Sequence, residues 1–214
     1  RFALYNVRNI LQKEQVPENP PTKSRSLRPP KNMIIISEYL VSDKGDGEVI
    51  TACPCAGKYF CPVCGAPLVH RDWKPRIMKR DGGTAGWLLI ERGQCSNKGC
   101  HKLHSMLPDI LVPYKHYASD LITGVLDGDV RPEDPMNEEK PCDATMRRWN
   151  HWFLSNLFRM EGYCRQVWHL AAAPGTEPVQ PGASVLETLR ESSGRWLAAA
   201  LRMIYNSGGS LVSS

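Results

Sequence analysis

The chain has 214 residues, is 42% apolar and 23% charged, and carries a formal net charge of +5. The apolar share is ordinary for a globular chain, and the length fits two small domains or one domain with an appendage. No apolar run approaches the roughly 18–20 residues of a membrane-spanning helix.

Residues 2–15 place Phe2, Leu4, Tyr5, Val7, Ile10 and Leu11 at the spacing of a short amphipathic helix. A segment with five prolines in sixteen residues follows and reads as an extended linker, so residues 1–32 form an N-terminal arm. Residues 33–41 look like one strand and Glu48 to Ala52 like a second, around a turn from Asp43 to Gly47.

The next stretch carries two cysteine knots, Cys61-Pro-Val-Cys64 and Cys95-Ser-Asn-Lys-Gly-Cys100, separated by 30 residues. Trp73, Ile77, Trp87, Leu88, Leu89 and Ile90 lie between them, enough for two or three short strands with Asp81-Gly82-Gly83 at the tip. Folding that ribbon back on itself brings four thiolates around one tetrahedral ion, the arrangement Zn²⁺ favours. The expected ligands are Cys61, Cys64, Cys95 and Cys100. Gly65 is free to take positive φ just after the second ligand. The second knot has a four-residue spacing, and His101 and His104 stand close enough to replace Cys100. Cys53 and Cys55 make a competing set of four thiols in twelve residues with Cys61 and Cys64, although Pro54 makes it hard for both to reach one ion. Tight cysteine pairs in a chain of this length, with no stretch that reads as a secretory leader, point to metal in a reducing cytoplasm rather than to disulfides. Cys142 and Cys164 fall in helical patterns and read as packing residues.

Leu107-Pro-Asp-Ile-Leu-Val-Pro113-Tyr114 reads as an extended hinge, because each proline pushes its predecessor out of the α region. Residues 116–126 then give a helix with Tyr117, Leu121, Ile122, Val125 and Leu126 on one face. Residues 127–140 are acidic and aperiodic. Asp143 is a good N-cap for a helix from Ala144, which carries Met146, Trp149, Trp152, Phe153, Leu154 and Leu157 and runs or bends on toward Leu170. After another Pro- and Gly-containing linker, Ser184 to Tyr205 reads as a final amphipathic helix.

Charge divides unevenly. Residues 1–118 hold 18 Lys and Arg against 10 Asp and Glu, a net of +8, whereas the remainder is net −3. The N-terminal half is therefore the side that would meet a polyanion. Residues 114–153 have the outline of a helix-turn-helix, whose second helix enters the major groove by its first turns. Met146, Trp149 and Phe153 would face the core. Thr145, Arg147, Arg148, Asn150 and His151 then form the exposed set, with side chains that pair with guanine, adenine or phosphate. Arg71, Lys74, Arg76, Lys79 and Arg80 lie on the hairpin arm as phosphate contacts. The alternative is an ordinary amphipathic helix with a solvated face.

The run from Cys61-Pro-Val-Cys64-Gly65 through Arg92 to Cys100, and on through His101-Lys-Leu-His104 to Tyr117, resembles a family of small bacterial proteins associated with mobile elements. It is also similar to the zinc-ribbon and helix-turn-helix front end of insertion-sequence transposases. Asp143-Ala-Thr-Met-Arg-Arg-Trp-Asn-His-Trp-Phe153 resembles that family's second helix. The resemblance covers roughly residues 33–160. It implies a Zn²⁺-stabilised protein that binds double-stranded DNA in the cytoplasm, associates with the nucleoid when bound, and works beside a transposase, recombinase or other protein, with homo-oligomers open. Two departures from the family pattern stand out: the longer second knot and the acidic 127–140 loop.

Catalysis is not expected. Transposition chemistry gathers carboxylates around two metal ions, whereas the acids here cluster in an unscaffolded loop. No Gly-rich phosphate loop, nucleophile elbow or His-Glu-x-x-His pattern appears. The expectation is thus an α+β chain in four parts: arm (1–32), strands and zinc ribbon (33–113), helix-turn-helix-like region (114–170), and linker with C-terminal helix (171–214). The competing function is a zinc-ribbon adaptor that binds a protein partner, and RNA stays open as the ligand.

Overall fold

A computed structural model describes residues 33–43, 48–52, 59–79, 85–132, 141–171 and 182–212. The arm, the hairpin tip, Cys53, Cys55, Arg80 and parts of the acidic loop and of the second linker lie outside the described residues.

The fold is built on one long hairpin. Strand β4 (Leu68–Lys79) pairs antiparallel with β5 (Ala85–Cys95) from Leu68↔Cys95 to Lys79↔Ala85. These strands are twelve and eleven residues long, where short ones were expected. In β5, Leu88 and Ile90 alternate into the core. Because β4 covers one side of β5 throughout, two strands must share the other side. Strand β3 (Glu48–Ala52) pairs parallel with Leu88 to Ile90, and β6 (Leu103–Pro108) pairs antiparallel with Arg92 to Gln94. Strand β4 is thus a sheet edge. Pro75 and an irregularity between His70 and Asp72 interrupt that edge, as edges tolerate and pairing with another chain does not.

The single strand expected over 33–41 is two. Strand β1 (Met33–Ile36) joins β6 in parallel, and β2 (Tyr39–Asp43) joins β3 antiparallel at the other end of the sheet. All four residues of β1 are buried, because the run Met-Ile-Ile-Ile meets apolar side chains on both faces. Met33 and Ile35 join the main core, whereas Ile34 and Ile36 form a smaller cluster with Met106.

Four helices among the described residues cover one face: α1 (Ser119–Asp127), α2 (Asp143–Ala171), α3 (Val185–Ser192) and α4 (Trp196–Asn206). The architecture is α+β. Met33, Leu88, Ile90 and Leu107 of the sheet share one core with Trp149, Trp152, Trp196, Leu197 and Leu201 of the helices. The final helix expected from Ser184 to Tyr205 is broken after Ser192, where Ser193-Gly194-Arg195 turns the chain. Ser and Gly disfavour a helix interior.

Two ties hold the helices in place. Glu161 of α2 accepts hydrogen bonds from the backbone N–H groups of Val185 (2.9 Å) and Leu186 (3.1 Å) and from the Ser184 hydroxyl (2.9 Å), and pairs with Arg165. Burial pushes the Glu161 carboxyl up, but these donors more than offset it and hold it below its ordinary value. At the end of α4, the Asn206 amide accepts from Ile35 N–H (2.8 Å) and donates to Ile35 C=O (2.9 Å), as a neighbouring strand would.

Candidate metal centre and basic surface

Each cysteine knot is shaped by its own backbone. In the first, Cys61 N–H donates to Ala66 C=O and Gly65 N–H returns to Cys61 C=O, both at 2.8 Å. Gly65 takes φ +72°, as its position after Cys64 suggested, and closes the turn. In the second, Asn97 absorbs the extra length. Its carbonyl accepts from Cys100 and His101 N–H, and its side chain accepts from Gly99 N–H. The base of the hairpin brings the knots together through Leu68↔Cys95 and a bond from Ser96 N–H to Pro67 C=O.

The result is a cluster of Cys61, Cys64, Cys95 and Cys100 whose sulfurs all lie within 4.8 Å of one another. Cys61 and Cys100 are 3.8 Å apart and Cys64 and Cys95 3.4 Å. A disulfide is near 2.05 Å, so these are free thiols. A tetrahedron with metal–sulfur bonds near 2.3 Å has edges of about 3.8 Å, so the four fit one such ion. The neighbourhood spreads their acidities. The Ala66 backbone N–H, then the Cys95 side chain, draws the Cys64 thiol down to about 7. Burial pushes Cys95 up.

The two histidines part company. His101 is exposed at φ +48° and its Nδ1 meets the Gln94 amide at 2.8 Å. His104 is buried, with Nε2 3.3 Å from Cys61 Sγ. Burial, then the charge of Lys102, lowers its pKa. A neutral ring donating Nε2–H to the Cys61 sulfur leaves Nδ1, which has no partner, as the bare acceptor. His104 thus supports the sulfur cluster from behind, a contact that spacing alone did not reveal. Of the remaining cysteines, Cys164 is buried as expected, whereas Cys142 is exposed ahead of α2.

The polar set on α2 lies opposite Met146, Trp149 and Phe153, which are buried. Arg147, Arg148, Asn150 and His151 are exposed and Thr145 is half-buried. Arg147 pairs with Asp143, and Arg148 folds along its own helix onto Ala144 C=O and the Thr145 hydroxyl. Helices α1 and α2 stand in the expected order, but residues 128–142 separate them, where a helix-turn-helix uses three or four.

On the hairpin strand β4, Arg71, Lys74 and Lys79 are exposed. Arg76 is turned inward: its Nη2 donates to Val112 C=O (3.3 Å) and Lys115 C=O (2.8 Å). Lys79 sits 5.4 Å over the Tyr117 ring, which packs edge-on against Trp149 of α2. Lys115 lies 5.0 Å over Trp152; burial, then the nearby charge of Arg148, lowers its pKa. The end of the hairpin and the start of α2 therefore meet.

A family model described as a domain of unknown function (DUF6431) matches residues 61–149. Over those residues, under half of the chain, the protein is similar to that family. The matched span runs from the first cluster cysteine through α1 and into the opening turns of α2, so it encloses both the sulfur cluster and the basic junction. No curated protein and no solved structure matches the chain. No described helix is long and apolar enough to cross a membrane.

Proposed function

We propose that the four thiolates hold one Zn²⁺ and that the chain is a zinc-stabilised protein that binds double-stranded DNA. The all-sulfur donor set closes the coordination shell, which suits a structural ion rather than a catalytic one. On this proposal the protein is a binder rather than an enzyme. The observation that carries the DNA reading is the junction formed by Lys79 over Tyr117, Tyr117 against Trp149 and Lys115 near Arg148, which joins the basic hairpin to the exposed polar face of α2. Phosphates would bind along Arg71, Lys74 and Lys79, and base edges would meet Arg147, Arg148, Asn150 and His151. The sequence resemblance adds a mobile-element setting, cytoplasmic and nucleoid-associated, as regulator or transposition accessory.

Anisotropy of a labelled duplex tests this. Log affinity should fall linearly with log salt, with a slope of about −0.9 for each phosphate contacted. Replacing Arg148 or Asn150 by alanine should each cost roughly 1–3 kcal/mol on a selected site and little on random DNA, and a triple variant with Arg147 also replaced should lose more. Lys79→Ala should weaken both equally and reduce the slope. Unchanged binding by the triple variant would refute the helix assignment.

One observation favours a second reading. Leu154 and Phe158 lie one turn apart in line with His151, and Phe158 is 90% exposed. An adaptor would bind a protein partner there, and its affinity would change little with salt.

A further inference from the structure

Beside the basic junction lies a cleft of about 300 Å³, at the lower end of the size range of small-molecule sites. Its floor is apolar, with Met33, Ile90 and Leu107 from three strands. Two aromatic side chains line it: Trp87, 55% exposed although it is a large apolar group, and Tyr114, 37% exposed. Lys74, Arg76 and His116 supply positive or donor groups.

Two features mark the cleft as more than a packing gap. Tyr114 adopts φ +63°, a left-handed conformation that bulky residues rarely take and that surrounding structure must enforce. Arg76 enforces it: its two hydrogen bonds to Val112 and Lys115 C=O clamp the turn that presents Tyr114. The same guanidinium keeps a buried Nε–H with no acceptor. A buried donor without a partner is costly, so the clamp on the Tyr114 turn is held against a penalty.

We propose that this cleft takes one unpaired nucleotide, its base stacked against Trp87 and Tyr114, with Arg76 holding the Tyr114 turn and Lys74 and His116 toward the phosphate. Aromatic faces beside a basic track are how unpaired bases are held without base-edge readout. The site does not depend on duplex binding by α2. The nucleotide has two sources, a free mononucleotide or an unpaired residue of a strand, and the arms of the test separate them.

The test is calorimetric titration of the metal-loaded full chain at low salt with thymidine monophosphate, ribose 5-phosphate and a five-residue thymidine oligonucleotide. Saturable nucleotide binding with no comparable binding of ribose 5-phosphate is expected. An oligonucleotide that binds well above the mononucleotide assigns the site to a strand, and equal affinities assign it to free nucleotide. Trp87→Ala, at an exposed position, should weaken the nucleotide about tenfold or more, and Trp87→Phe should restore part of it. Absence of saturable binding, equal binding of ribose 5-phosphate, or an unchanged Trp87→Ala affinity would overturn the proposal. Duplex binding that survives any of those results leaves the α2 reading standing, and nucleotide binding without duplex binding removes only α2.

Discussion

Stripping the metal should melt the two knots and leave the helical core folded. Residues 61–67 and 96–102 have little packing of their own, with Val63, Cys64, Gly65, Pro67 and Ser96 to Gly99 exposed. They are held by eight hydrogen bonds involving the knots: the amides of Cys61, Gly65, Leu68, Cys95, Ser96, Cys100 and His101, and that of Gly99 onto the Asn97 side chain. At a net contribution near 1 kcal/mol each, these supply roughly 8 kcal/mol. Ordering the fourteen backbone residues costs about 14–28 kcal/mol. The shortfall, about 6–20 kcal/mol, is of the order that a structural zinc ion contributes, roughly 10–16 kcal/mol near neutral pH. The four sulfurs therefore need their ion, whereas Trp149, Trp152, Trp196 and Leu201 do not touch it. Hydrogen exchange read by mass spectrometry, with metal content measured in parallel, checks this. The reduced protein should carry one zinc. Chelation or Cys61→Ser should abolish protection in the knots and in β6 beside His104, with the helical circular dichroism largely kept. A folded, reduced sample without zinc, or knots that stay protected after chelation, would refute the reasoning.

Two further expectations concern the scaffold. Glu161→Gln should destabilise the chain by about 1–2 kcal/mol at pH 7 in urea unfolding, since it weakens charge-assisted bonds to a helix start. The folded carboxyl titrates below its ordinary value, so its contribution is complete above that value and lost as pH falls through the lower folded one; the gap between wild type and variant should close below about pH 4. Asn206→Ala should cost about 2–3 kcal/mol in the same assay, because Ile35 is only 1% exposed and its N–H and C=O lose their partner. A loss under about 0.5 kcal/mol would mean that water reaches that edge.

The cluster was legible because metal ligation is local: Cys-x-x-Cys followed by glycine fixes a turn whatever the rest of the chain does. The start of α2 was legible to within one residue from the spacing of Met146, Trp149 and Phe153, although Asp143, expected as the cap ahead of Ala144, is the first residue of the helix and pairs with Arg147. What escaped depends on distant partners. The side to which Arg76 points is decided by carbonyls at 112 and 115, and alternation along β4 cannot reveal that. The division of 33–41 follows from β1 and β2 joining opposite ends of one sheet, through β6 and β3. Spacing leaves His104 as a rival ligand, and only the fold shows it standing behind Cys61. Ser193-Gly194 interrupts a pattern whose apolar period continues across the break, so periodicity alone ran one helix through it.

The bond between Ile35 and Asn206 also sets an order of events during synthesis. The two residues are 171 positions apart. At about 5–20 residues per second, a ribosome leaves roughly 10–30 s between them. Through that interval Met33-Ile-Ile-Ile36, an apolar β-prone run, exists first without β6 and then without its outer cover. Such an edge is a template for pairing with other nascent chains. The last helix therefore acts as a late safeguard: a polypeptide cut before residue 206 would keep its sulfur cluster and basic junction yet expose the strand most prone to self-association.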